Sequence, residues 1–131
     1  MDYVIDFDAE ADVVVKTFGR ADPDGIRRFL NEIVSDGRFR SGSSLLNDHS
    51  ELDFSGLTPA DVRDISYLVS RLDEQHGFGP VAVVVPNAFA FGLARMGQTL
   101  VTTDVHGRIF YSRDAAVEWL GQVEAGEELD D

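Results

Sequence analysis

The stretch Pro80-Val81-Ala82-Val83-Val84-Val85-Pro86 is apolar at every position and fenced by proline at both ends. A strand with one wet face alternates apolar and polar residues, whereas one that is greasy on both sides must be covered on both. That is the situation of a strand inside a parallel sheet with helices over its two faces. The prolines fall at strand ends, where a ladder donor is expendable. The segment is expected to form the core of an α/β layered sheet, and the rest of the chain must supply its cover. At 131 residues the chain is one domain's worth.

The cover is legible in the spacing of apolar residues. Tyr3, Ile5 and Phe7 alternate with Asp2 and Asp6, which predicts a half-exposed strand. Val13-Val14-Val15-Lys16-Thr17-Phe18, rich in β-branched residues and ended by Gly19, predicts a second strand, antiparallel to the first across a short connection. Asp22 offers an N-cap and Pro23 suits the first helical position. Ile26, Phe29, Leu30, Ile33 and Val34 then form one apolar stripe, with Gly37 as the left-handed stop.

Ser44-Leu45-Leu46-Asn47-Asp48 is a short third strand leading into a polar loop from His49 to Leu57. Thr58-Pro59-Ala60-Asp61 repeats the cap-then-proline device, opening a helix that buries Val62, Ile65, Leu68, Val69 and Leu72 and stops at Gly77. Asn87 caps a helix carrying Phe89, Leu93 and Met96 and ending at Gly97. Residues 100–105 read equally as a short strand or an extended connection. Arg108-Ile109-Phe110-Tyr111 is a final strand, and Ser112 caps a helix that buries Ala116, Trp119, Leu120 and Val123.

Strands and helices in this cadence predict parallel neighbours joined by right-handed crossovers. The expected object is a single compact α/β domain over residues 1–123. It has a mostly parallel sheet of about five strands, the first antiparallel, with four main helices. Residues 124–131 read as a solvated acidic tail.

Twenty-four acidic side chains against eleven basic ones give a formal charge of −13. Such a surface repels phosphate backbones and anionic headgroups, so nucleic acid and membrane surfaces are poor partners. The absence of cysteine excludes disulfides, thiol catalysis and thiolate metal sites. The start of the chain lacks the basic, apolar pattern of a signal peptide, and no long apolar run offers a membrane span; a cytoplasmic protein is expected.

Near its end the chain resembles a known family. Phe110-Tyr111-Ser112-Arg113-Asp114-Ala115-Ala116-Val117-Glu118-Trp119-Leu120 is similar to the closing signature of SpoIIAA-like proteins of the STAS and CRAL-TRIO superfold, in which a strand-ending Phe precedes a helix with Ala and then Trp-Leu. Val83-Val84-Val85 followed by Ala90-Phe91-Gly92-Leu93-Ala94-Arg95-Met96 looks like the strand and small-residue helix before it. The resemblance implies a βα superhelix and either of two functions. STAS-type members are protein-interaction modules, some switched by phosphorylation of a Ser in an Asp-Ser-Ser-Gly-like turn. CRAL-TRIO relatives hold apolar ligands in a pocket. Only Ser55-Gly56 matches that turn here, which makes Ser55 and Thr58 weak phosphorylation candidates.

No catalytic constellation emerges. Neither a Gly-x-Ser-x-Gly elbow nor a Ser-x-x-Lys pair is present, and Ser41-Gly42-Ser43-Ser44 lacks the lysine of a phosphate loop. Gly77-Phe78-Gly79 precedes a strand rather than following one, so it is a turn. Asp48, His49, Glu51 and Asp53 match no metal-binding spacing and read as a solvated acidic loop. His76 and His106 sit at a helix end and in a turn. Trp119 and Phe110 are expected to meet in the core.

Phe91 lies off the apolar stripe of its helix and calls for a cover. Tyr67, Phe89 and Phe91 are the candidate residues for an interface or a ligand. The expectation is a non-enzymatic module with a protein partner, most simply a homodimer, with a carrier or sensor of a small apolar, lipid-like ligand as the alternative. No cofactor and no metal are implied.

Overall fold

The computed structural model describes residues 1–7, 10–124 and 126. Five strands lie side by side in sequence order: β1 (Asp2–Phe7), β2 (Val13–Arg20), β3 (Leu45–Asp53), β4 (Val81–Val84) and β5 (Gly107–Phe110). β1 is antiparallel to β2 and every other pairing is parallel. Helices α1 (Pro23–Ser35), α2 (Pro59–His76) and α3 (Ala88–Leu100) pack on one face, and α4 (Arg113–Glu124) covers the other. The chain is thus an α/β domain with a mixed sheet and four helices, as its periodicity requires.

Alternation along the strands divides the core in two. Val13 and Val15 of β2 and Leu45 of β3 face the three helices, while Val14, Leu46, Ala82 and Val84 face Ala116, Trp119 and Leu120 of α4. Phe110 meets Trp119 at 5.7 Å between ring centroids, as expected. The proline-fenced segment is β4, enclosed between β3 and β5, although the middle strand of the sheet is β3.

Helix starts follow the sequence closely. Asp22 Oδ1 accepts from the Asp24 N–H at 3.1 Å and Asn87 Oδ1 from the Ala90 N–H at 2.9 Å. Thr58 and Asp61 form a reciprocal box, each accepting from the other's backbone N–H at 3.1 and 2.9 Å. Gly77 closes α2 at φ +76°, a conformation only glycine adopts cheaply.

Several expectations are corrected. α1 ends at Asp36, in extended conformation, and Gly37 is not among the glycines with positive φ. α3 runs through Gly97 to Leu100, because Gly97 is where the helix closes on α2: Ser66 Oγ donates to the Gly97 carbonyl at 3.1 Å. The segment 101–106 is a connection rather than a strand. On α2 the most buried positions include Ser66 and Ser70, whose hydroxyls donate back to Val62 and Ser66 carbonyls, while Ile65, Leu68 and Val69 are only half-buried. Glu124, read as the first residue of the tail, is the last of α4, and its carboxylate accepts from Ser44 Oγ at 2.6 Å. The rest of the acidic tail lies outside the described residues apart from Gly126.

Candidate functional site

The largest departure from expectation is β3. Its second half, read as a polar loop, continues as strand to Asp53. Pairing with β2 runs Lys16 to Asp48 and then Phe18 to Glu51, so Thr17 stands opposite two residues, His49 and Ser50. This is a β-bulge, and it changes which residues face inward. Before it, Leu45, Asn47 and His49 point to the three-helix side; after it, Leu52 does. The bulge thereby seats two polar side chains under the helices without ejecting the apolar residues that follow.

Asn47 and His49 line a cavity of about 210 Å³ between the sheet and α2 and α3. Its walls are mainly aliphatic and aromatic: Phe29 and Phe54 near the histidine, Val81, Val83 and Ile109 on the sheet, Ile65, Val69, Leu93 and Ala94 on the helices. The half-exposure of Val81, Val83, Ile65 and Val69 is explained by this unfilled space. Exposed Gln98 and Arg108 border it on the solvent side.

The histidine is held in a neutral state. Its Nδ1 is 2.8 Å from Thr17 Oγ1, which also lies 3.4 Å from the Asp48 carbonyl. Either neutral tautomer satisfies the 2.8 Å contact, with the Thr17 hydroxyl donating to Nδ1 or accepting from it. Burial pushes the imidazole pKa down to about 4, the nearby Asp48 charge opposing this only in part. Asn47 is 8% exposed and its Oδ1 has no hydrogen-bond partner among the described residues.

The opposite face of β3 is arranged differently. Asp48, 2% exposed, accepts from the Ser50 N–H at 3.0 Å, from Ser50 Oγ at 2.6 Å and from Arg113 Nη1 at 2.8 Å. Burial alone would raise its pKa, but the hydrogen bonds from Ser50 and the contact with Arg113 outweigh that and hold it below the ordinary carboxylate value. Arg113 also binds Glu10, and Lys16 pairs with Glu51 at 2.8 Å. This cluster ties the first turn of α4 to the sheet and to the loop before β2. Its buried carboxylate has its charge partner in place.

The acidic residues expected in a loop are therefore split across a strand. Asp48 and His49 face opposite sides and cannot share an ion; among the described residues no group is arranged to hold a metal. In a wider polar depression bordered by Asp12, Arg38, Arg40 and residues 41–43, Arg38 binds Asp36, Ser43 Oγ accepts from the Arg40 N–H, and Asp12 accepts from the Ser44 N–H.

The remaining sequence candidates lie elsewhere. Tyr67 and Phe89 are 67% and 58% exposed, and neither they nor Phe91 line the cavity. Phe89 is thus the residue of α3 that faces out, and Phe91 is the one that is covered, stacked on Tyr111 at 5.3 Å. Ser55 is exposed in a single 3-10 turn (Phe54–Gly56), with its N–H donating to Asp53, and the Thr58 hydroxyl is engaged as a cap. His76 ends α2 and His106 packs edge-on to Trp119. Asn47, expected on the third strand, carries no predicted role, and His49 is expected in a loop, because polar residues on the inner face of a strand break the alternation that marks it. The signal that would have found them is the apolar pair Leu52 and Phe54, set out of phase with Leu45.

Among the described residues no helix is long and apolar enough to cross a membrane. No family model, curated protein or solved structure matches the chain significantly.

Proposed function

We propose that the protein is a non-enzymatic binding module that takes a small apolar molecule into the cavity between β3–β5 and helices α2 and α3. The observation that carries this reading is an unfilled, mainly apolar space of about 210 Å³ between the sheet and helices α2 and α3. Natural cores leave few voids larger than a water molecule, and a dry cavity of roughly 150 Å³ is already enough to admit benzene. The size suits a ring or two rather than a long acyl chain, which narrows the lipid-like ligand of the sequence reading. The SpoIIAA-like resemblance is compatible with such a role through its ligand-holding relatives. Titration with benzene or toluene, followed by amide NMR shifts at Val83, Ala94 and Gly97, tests the reading: saturable shifts there support it, and none at millimolar ligand defeats it.

A second reading, a protein-interaction module acting as a homodimer, draws on the outward aromatics. Phe89, Tyr67 and Tyr111 are each more than half exposed. Sedimentation across a concentration series decides it: a self-associating species whose dimer is lost in Phe89→Ser supports the reading, and a monomer at every concentration removes it.

A further inference from the structure

Resting on the cavity reading, we infer that the ligand carries a hydrogen-bond donor on its ring, as a phenol or an indole does, and donates it to Asn47 Oδ1. The polar groups around the cavity divide into spent and unspent. Ser66 Oγ shares its one proton between the Val62 and Gly97 carbonyls, and Gln98 Nε2 donates to the Gly107 carbonyl at 2.6 Å. Asn47 Oδ1 is left without a partner although the residue is more than nine-tenths buried.

A buried acceptor with no donor is costly, and native structures rarely leave one unless something absent from the free protein satisfies it. The unmet Asn47 acceptor lies on the same face of β3 as the His49 imidazole, and both line the cavity. No cationic side chain lies deep in the cavity; Arg108 borders it at an exposed position. A carboxylate ligand would bring a buried charge against the unmet Asn47 acceptor. A neutral ring with one O–H or N–H meets both the apolar walls and the empty acceptor, and sites built to bind such a group discriminate strongly against analogues lacking it.

The test compares phenol, anisole and toluene by calorimetric or NMR titration of the intact chain. These probes share a ring and differ in the donor. Phenol is expected to bind about tenfold more tightly than anisole, a difference of ~1.4 kcal/mol, and in Asn47→Leu the two are expected to bind within about twofold. Toluene and anisole binding as tightly as phenol would overturn the donor inference while leaving the cavity reading intact. Failure of all three to bind would remove both. A phenol preference that persists in folded Asn47→Leu would overturn the assignment to Asn47. Should that variant not fold, the wild-type comparison of phenol with anisole decides alone, with the shifted amides required to lie at Val83, Ala94 and Gly97.

Discussion

The two faces of β3 solve the same problem in opposite ways. Toward α4 the strand shows Leu46 and Asp48, packed tightly and paired by charge to Arg113. Toward the other three helices it shows Asn47 and His49, neutral, beside empty space. On the first side the polar side chains of β3 are paired internally, although Trp119 Nε1 of α4 has no hydrogen-bond partner among the described residues; on the second, Asn47 Oδ1 is unmet beside open space. The difference teaches that a buried polar residue is not by itself a sign of function. What distinguishes the inner pair is that Asn47 keeps an unmet acceptor where there is room for a ligand.

That contrast can be broken in several ways. The largest effect should come from like-for-like truncation. Leu46→Ala on the packed face is expected to cost about 4 kcal/mol, and Leu93→Ala on the cavity wall about 2, because a residue already bordering a void loses fewer contacts. Urea denaturation measures both, and equal losses would mean the two faces are packed alike.

Next, Arg113→Ala leaves the Asp48 carboxylate buried with only Ser50 and should cost about 3 kcal/mol, discounted for the partial exposure of the arginine. Asn47→Leu, by contrast, removes an unsatisfied group and should be neutral or slightly stabilising. A destabilisation comparable to that of Arg113→Ala would show that Asn47 is already satisfied.

Acid sharpens the comparison further. The folded His49 pKa of about 4 lies below its unfolded value of about 6.5, so the unfolded chain binds the proton first as pH falls. The contribution of neutral His49 is complete above pH ~6.5, shrinks as pH drops toward ~4, and amounts to at most about 3 kcal/mol. Stability in His49→Gln should be flatter over that window. Asp48, held below the ordinary carboxylate range, acts at lower pH: its stabilisation is present above the unfolded value and disappears as pH falls through the folded one. A wild-type slope unchanged by His49→Gln would contradict the buried neutral imidazole. Smallest of all, Ala94→Leu should fill the cavity, shift stability by no more than about 1 kcal/mol, and abolish toluene binding, read by the same titration.

Much of this architecture is written in short-range patterns. The proline-fenced run, the stripe from Ile26 to Val34 and the caps at Asp22, Thr58 and Asn87 depend on residues three or four apart, so they survive reading without a structure. What is hidden depends on a partner distant in the chain. Gly97 looks like a helix stop until Ser66 is seen against it, and Ser66 looks exposed until Gly97 supplies the carbonyl. The candidate site is hidden for the same reason: Asn47 and His49 sit inward in phase with Leu45, and Leu52 can follow them inward only because Thr17, on another strand, faces two residues of β3 at once.

That extra residue has a consequence for how the chain can vary. Asn47 and Leu52 stand five positions apart, so both can face the helices only because the strand takes one residue out of phase. Deleting Ser50 would leave four positions and restore regular phase, with Leu52 still inward and Glu51 and Asp53 still outward. Replacing it would leave the bulge standing. Along this segment one residue is carried outside the alternation, and the inward set does not depend on which side chain it bears.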